Sequence, residues 1–302
     1  MEAYFMSLGL ALSGGGLRGA AHIGCLKILD AQKITPDVIT GTSAGSIAAG
    51  MYALEITPDN MEKAIDIFSV MSFRDLNFFK FLKYFSKLPF ALYRKSNLNG
   101  PLGLIRGNIV KDNLKELYSN ARLSDMKKPF ACVATDIHTG ETVIFSSTKI
   151  SFPPQENLVV YNSAYVHEAV RASISIPGIF EPFLFDGRYL VDGAVKSNVP
   201  ANIARYLGAN KVIAVDLGFH VHEEHRLNSV FELLIQTMDI MGQEISNFIN
   251  EYFADLVIRP ILQPNIKLTD FSALTYCILA GEKATKDALP DITKLCNTKT
   301  PH

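Results

Sequence analysis

Cysteine is scarce: four residues in 302, with no Cys-x-x-Cys pair among them. Cys25, Cys132, Cys277 and Cys296 lie far apart, so neither a disulfide framework nor a zinc knuckle is expected, and a reducing, cytoplasmic setting fits. Charge of one sign is also lacking. The formal net charge is -1, which gives no basis for bulk nucleic-acid binding. No stretch reaches the run of about 18 apolar residues that marks a membrane-crossing helix. The apolar start, Met1 to Leu12, has no basic leader and runs into Ser13 and a glycine turn. It reads as a buried strand rather than a signal peptide. There is no internal repeat, low-complexity tract or clear linker, which favours a single domain over residues 1–302.

What is present suits a packed core: 48% of residues are hydrophobic and 20% charged. Leu8 to Leu12, Val38-Ile39, Phe130 to Thr135, Thr142 to Ser146, Tyr189 to Val191, Lys211 to Asp216 and Leu256 to Ile258 read as strands. Between them lie helical patterns at Ala20 to Gln32, Ser43 to Leu54, Pro58 to Val70, Val110 to Tyr118, Val166 to Ser173 and Pro200 to Leu207. A long helix is expected from Asn228 to Tyr252 and a last one from Phe271. Strands alternating with helices predict an α/β fold whose mostly parallel sheet is covered on both faces. The apolar helix from Phe231 to Phe253 is free to pack on the core or on a second copy, so a homo-oligomer stays open.

Two glycine-rich pieces follow the first two strands. The first, Gly14-Gly15-Gly16-Leu17-Arg18-Gly19, satisfies G-x-G-x-x-G, the dinucleotide fingerprint. A nucleotide-binding fold also needs an acid at the end of the second strand. Asp37 precedes that strand instead, while Thr40 and Gly41 stand where the acid would act. A phosphate-binding Walker loop is excluded, because Gly19 is followed by Ala20 and Ala21. A glycine turn opening a helix has another use: its backbone N–H groups can hold an oxyanion. The second piece, Gly41-Thr42-Ser43-Ala44-Gly45, has the G-x-S-x-G form of a nucleophile elbow.

Ser43 needs a base. An α/β-hydrolase would supply a histidine, and His220, His222 and His225 come later in the chain, so chain order permits that triad. Against it, only one strand precedes the elbow, and the segment His220 to His225 reads as a charged, solvated loop. The other candidate is Asp192 in Asp192-Gly193-Ala194, at the end of a short apolar strand. His22 reads as a packed or capping histidine and His167 as a surface one. Arg171 reads as a brace, and Cys25 and Cys132 as inert core thiols.

The three pieces in this order resemble the patatin-like phospholipase family. Ala134-Thr135-Asp136, Thr139-Gly140-Glu141 and Arg171-Ala172-Ser173-Ile174-Ser175-Ile176-Pro177 are similar to it too. The resemblance covers about residues 8–217, leaving a C-terminal helical extension over about 218–302. It implies a three-layer α/β/α fold with a mostly parallel central sheet, and a Ser43–Asp192 dyad in place of a triad. It implies an oxyanion hole around Gly14, Gly15, Gly16, Arg18 and Gly19, with Gly41 and Gly45 shaping the elbow and Gly193 and Ala194 following the base. Arg18 either orients the loop or meets a phosphate. The substrate would be a fatty acyl ester, cleaved through an acyl-enzyme. No cofactor or metal is implied, and the chain has no calcium loop of the D-x-[DN]-x-[DN]-G type.

One segment stands apart. Residues 72–98 hold eight aromatics and six basic residues against the single acid Asp75. Such a composition suits either core packing or peripheral contact with an anionic membrane surface. It raises an alternative of another class, a weakly active or inactive lipid-binding module that docks on membranes. A nicotinamide-binding domain is a third, minor reading.

Overall fold

The structure, a computed structural model, describes residues 7–71, 102–154, 157–218, 230–262 and 271–298. The aromatic and basic segment 72–98 and the trio His220, His222 and His225 lie outside the described residues.

The strands are β1 (Leu8–Leu12), β2 (Val38–Thr42), β3 (Gly103–Ile105), β4 (Phe130–Asp136), β5 (Thr142–Ser146), β6 (Leu158–Tyr161), β7 (Gly178–Phe180), β8 (Phe183–Phe185), β9 (Arg188–Asp192), β10 (Lys211–Val215) and β11 (Leu256–Ile258). The helices are α1 (Ala20–Ala31), α2 (Ala44–Ala53), α3 (Pro58–Met71), α4 (Asn108–Leu117), α5 (Val166–Ser173), α6 (Ala201–Tyr206), α7 (Val230–Phe253) and α8 (Leu274–Asn297). The main sheet runs β11-β10-β1-β2-β4-β5-β6. From β11 to β4 every neighbour pair is parallel, whereas β5 and β9 both pair antiparallel with β4.

Side chains alternate across this sheet into two cores, because strand neighbours point to opposite faces. Leu10, Leu12, Ile39, Cys132 and Phe145 join the core shared with α1, α2, α5 and α8. Ala11, Val38, Val212 and Ala214 meet Val199, Ala201, Ala204 and Ile249 of the α6 and α7 layer. That is the expected three-layer α/β/α arrangement. Every residue of β1, β2, β4 and β5 is buried, as strands covered on both faces must be. A leucine or isoleucine buried this way contributes about 1.5–3 kcal/mol.

Four strands had no counterpart in the sequence reading: β3, β6, β7 and β8. Each is three or four residues long, and the apolar stretches in them, such as Leu158 to Tyr161 and Phe183 to Phe185, are too short to mark a strand by themselves. Among the described residues no helix is long and apolar enough to cross a membrane.

Candidate active site

Strand register brings the two glycine pieces together. β1 and β2 run parallel with Leu12 beside Gly41, so the glycine turn and the elbow open at the same sheet edge. Asp192 arrives from the opposite direction. β2 ends with Thr42 beside Val133 of β4. One residue further along β4, Ala134 takes Asp192 as its partner, with β9 running antiparallel. β9 therefore meets the end of β2 nearly head to head, which sets Asp192 against Ser43. This explains why a sheet otherwise parallel at its centre carries a reversed strand here.

Ser43 has φ 52 and ψ -125, a left-handed conformation that a serine rarely adopts. Its hydroxyl donates to Asp192 Oδ2 at 2.6 Å. The Ala194 N–H donates to Asp192 Oδ1 at 2.9 Å. The backbones on both sides are pinned by the last residue of α5 and the segment that follows it. The Ser43 N–H donates to Ser173 Oγ at 2.9 Å, and the Asp192 N–H to the Ser175 carbonyl at 2.9 Å. Ser173 is itself fixed by donating to the Val133 carbonyl at 2.6 Å. Ser43 and Asp192 are 4% and 3% exposed, so the pair is withdrawn from bulk water. Burial raises the Asp192 pKa from 3.8 to about 7, against the opposing pull of the Ser43 hydroxyl and the Ala194 N–H. The Asp239 carboxylate adds a further upward push.

The glycine turn is anchored from behind. The Gly14 N–H donates to both the backbone carbonyl and the Oδ1 of Asn198, each at 3.1 Å. Gly14 thus shapes the turn and has no N–H left for a ligand. Gly16, at φ 57, lies in the left-handed region that glycine tolerates best. The Gly15 and Gly16 N–H groups meet no acceptor among the described residues. Arg18 does not point free into the site. Its Nε donates to the Gly15 carbonyl at 3.3 Å, its Nη1 donates to the Gly218 carbonyl at 3.1 Å, and its Nη2 lies 3.9 Å from Asp239 Oδ2. Gly19 packs against Ala44, Gly41 against the Gly45 backbone, and Gly193 against the Val133 carbonyl.

A Cβ at Gly14 would sit 2.6 Å from Asn198 Oδ1 and 3.2 Å from the Ser43 Cβ. Gly14→Ala should therefore lower stability by about 1–3 kcal/mol, the usual cost of overpacking. A urea melt with an unchanged midpoint would contradict this.

The remaining sequence candidates fall into place around the pair. His22 is fully buried with Nε2 2.8 Å from the Ser13 carbonyl, and burial lowers its pKa to about 4. It is a neutral packing residue beneath the glycine turn. His167, expected at the surface, is instead 6% exposed, on the inner side of α5 and stacked on Tyr165. Arg171 is buried and braces the loop around Ser175. Burial pushes the thiol of Cys25 up to about 12 and that of Cys132 higher still, so both are unreactive. Asn198 and Asp239 were missed. An isolated asparagine in a loop and one acid on a long helix carry no motif, and only the folded chain brings them to the turn.

Fold and site together define an α/β protein of the nucleophile-elbow class, with an aspartate hydrogen-bonded directly to the elbow serine. The family model described as patatin-like phospholipase matches residues 10–205, and the chain belongs to that family. It is 33% identical over 217 residues to the patatin-like phospholipase domain-containing protein ZK370.4 of Caenorhabditis elegans, covering 70% of this chain and 14% of the worm protein. It is 29% identical over 215 residues to the lysophospholipase NTE1 of Mycosarcoma maydis, covering 70% of this chain and 10% of that protein. The chain thus spans only a small part of the length of these relatives. Among solved structures, VipD from Legionella pneumophila aligns over 96% of this chain and 67% of its own, with a TM-score of 0.53 and 16% identity, a likeness of fold.

Proposed function

We propose that this chain is a serine lipid acyl hydrolase in which Ser43 is the nucleophile and Asp192 the only base. The observation that carries this reading is the 2.6 Å hydrogen bond from the Ser43 hydroxyl to a buried Asp192. A carboxylate with its pKa raised to about 7 suits proton transfer near neutral pH better than an ordinary one. Ser43 Oγ attacks the ester carbonyl and its proton passes to Asp192. The carbonyl oxygen, now anionic, is met by the N–H groups of Gly15 and Gly16, the kind of contact typically worth about 3–4 kcal/mol. Collapse expels the alcohol, which takes the proton back from Asp192. Water then attacks the acyl-serine, with Asp192 again as base.

Family membership and the relatives named for phospholipase and lysophospholipase activity support a phospholipid or lysophospholipid as the ester. The chain would act as one unit, since β11 extends the sheet that carries the site, α7 packs on α6, and α8 packs on α1 and β11. Ser43→Ala should reduce hydrolysis of a short p-nitrophenyl ester and of a lysophospholipid by at least about a thousandfold. Retained turnover in that variant would remove Ser43 from the chemistry.

A further inference from the structure

The C-terminal part of the chain, beyond the family match that ends at 205, places a carboxylate at the edge of the glycine turn. Asp239 lies on α7, its side chain 45% exposed and its Oδ2 3.9 Å from Arg18 Nη2. The same stretch of α7 passes over the Asp192 turn, where a Cβ at Gly242 would sit 3.7 Å from the Ala194 carbonyl oxygen. From Val230 to Phe253 the helix carries four acids, Glu232, Asp239, Glu244 and Glu251, and no lysine, arginine or histidine. Around Asp239 its solvent face is apolar, with Leu234, Ile240 and Met241 exposed.

Arg18 would be the natural partner for a phosphate here, but its guanidinium is already engaged. It donates to the Gly15 and Gly218 carbonyls and faces Asp239. A lipid whose ester sits at Ser43 holds its headgroup only a three-carbon glycerol unit away. Near this edge an anionic group would meet the Asp239 carboxylate and find the Arg18 guanidinium already paired with it and with two backbone carbonyls. A like charge at such a distance costs binding, while a cationic headgroup is welcomed.

We propose that Asp239 is a specificity-determining residue that selects acyl esters with a cationic or neutral headgroup over anionic ones. This rests on the hydrolase reading above. It assigns Arg18 the role of orienting the glycine turn rather than binding phosphate. It also gives α7 a part in the site, although the helix lies outside the family match.

The test compares lysophosphatidylcholine with lysophosphatidylglycerol of the same acyl chain, at about pH 8, to keep Asp239 charged although burial raises its pKa against the pull of Arg18. Each kcat/KM is divided by the same variant's value on a p-nitrophenyl ester that has no headgroup, so a general loss of chemistry cancels. The wild type should prefer the choline lipid by about tenfold, the effect of one partly screened charge. Asp239→Asn and Asp239→Ser remove the carboxylate and release the Arg18 guanidinium, so the choline preference should be lost or turned toward the glycerol lipid, chiefly through a lower KM for the glycerol lipid. Asp239→Glu should keep the preference. A wild type that treats the two lipids alike, one that cleaves neither while cleaving the simple ester, or a preference that survives both neutral variants would each overturn the proposal and leave the hydrolase standing. Loss of all Ser43-dependent turnover would overturn the hydrolase reading itself and this inference with it.

Discussion

Asp192→Asn should be close to inactive yet more heat-stable than the wild type at about pH 8, a pH above the folded-state pKa of the carboxyl it replaces. On the proposed mechanism the loss of activity follows from removing the base. A positioned general base contributes about 10²–10⁴-fold, and asparagine cannot take the Ser43 proton. The gain in stability follows from the pKa. In the unfolded chain the carboxyl titrates near 3.8, and in the folded protein burial holds it at about 7. Below the lower value both states are protonated and nothing is lost. Between the two, the folded state keeps a proton that the unfolded state releases. Above about 7 the fold carries an ionised, buried carboxylate and bears the full penalty. The contribution of this group is therefore present at low pH and is lost as pH rises through about 7. A pKa difference of this size corresponds to at most about 4 kcal/mol. Asparagine is neutral at every pH and escapes that penalty. It can still accept from the Ser43 hydroxyl, but its NH2 then faces the Ala194 N–H, a loss of about 1–2 kcal/mol. The net gain at high pH is about 2 kcal/mol by this difference, and near pH 4 the sign reverses because only the Ala194 loss remains. Thermal melts of both proteins at the two pH values decide the matter. A variant less stable at both would mean that Asp192 is not strained by burial. The same pKa predicts that wild-type kcat/KM rises with pH up to about 7 and then levels, because only the ionised form accepts a proton.

The sequence made the candidate site legible because its pieces are short, local and chemically unusual. Gly14 to Gly19, Gly41 to Gly45 and Asp192 to Ala194 each follow an apolar strand, and parallel neighbours open their turns on one side of a sheet. What it could not supply was the direction of β9. Tyr189 to Val191 reads the same in either sense, and its antiparallel course depends on β2 stopping at Thr42 and leaving the β4 edge free from Ala134 onward. The short strands β3 and β7 were illegible for the same reason, since each finds its partner some 75 residues away, whereas β8 pairs locally with β9 and is simply too short to read. His167 was misplaced because α5 buries nearly every residue, polar ones included, between β4 and α4. Asp239 and Asn198 act on the glycine turn from 221 and 184 residues away in sequence, counted from Arg18 and Gly14, and no local pattern encodes such a contact.

Arg171→Ala should be the most destabilising single change near the site, with Arg171→Lys intermediate. The side chain is 2% exposed, and it donates to four oxygens in three separate segments. Nε donates to the Gly107 carbonyl at 3.0 Å, and Nη2 to the carbonyls of Arg106 at 2.9 Å and Glu181 at 3.2 Å. Nη1 donates to Ser175 Oγ at 2.6 Å. The guanidinium also lies over the Phe180 ring at 5.0 Å. Deleting it strands several buried acceptors at once and opens a cavity, a combination that costs about 3–5 kcal/mol. A fall of about 10 °C in melting temperature follows from that range. Lysine keeps the charge, but its compact ammonium cannot reproduce a planar fork that reaches from Gly107 to Ser175. The consequence for chemistry runs through Ser175, whose carbonyl fixes the Asp192 backbone. If Ser175 shifts by a fraction of an ångström, the aspartate moves off the serine, and misplacement of that size can cost up to about a hundredfold. Arg171→Lys, assayed well below its melting point, should therefore lose kcat by about tenfold or more with little change in KM, as expected for a residue that positions the base without touching substrate. Loss of stability with kcat intact would make Arg171 a brace of the fold alone. A rise in KM with kcat intact would place it in substrate binding instead.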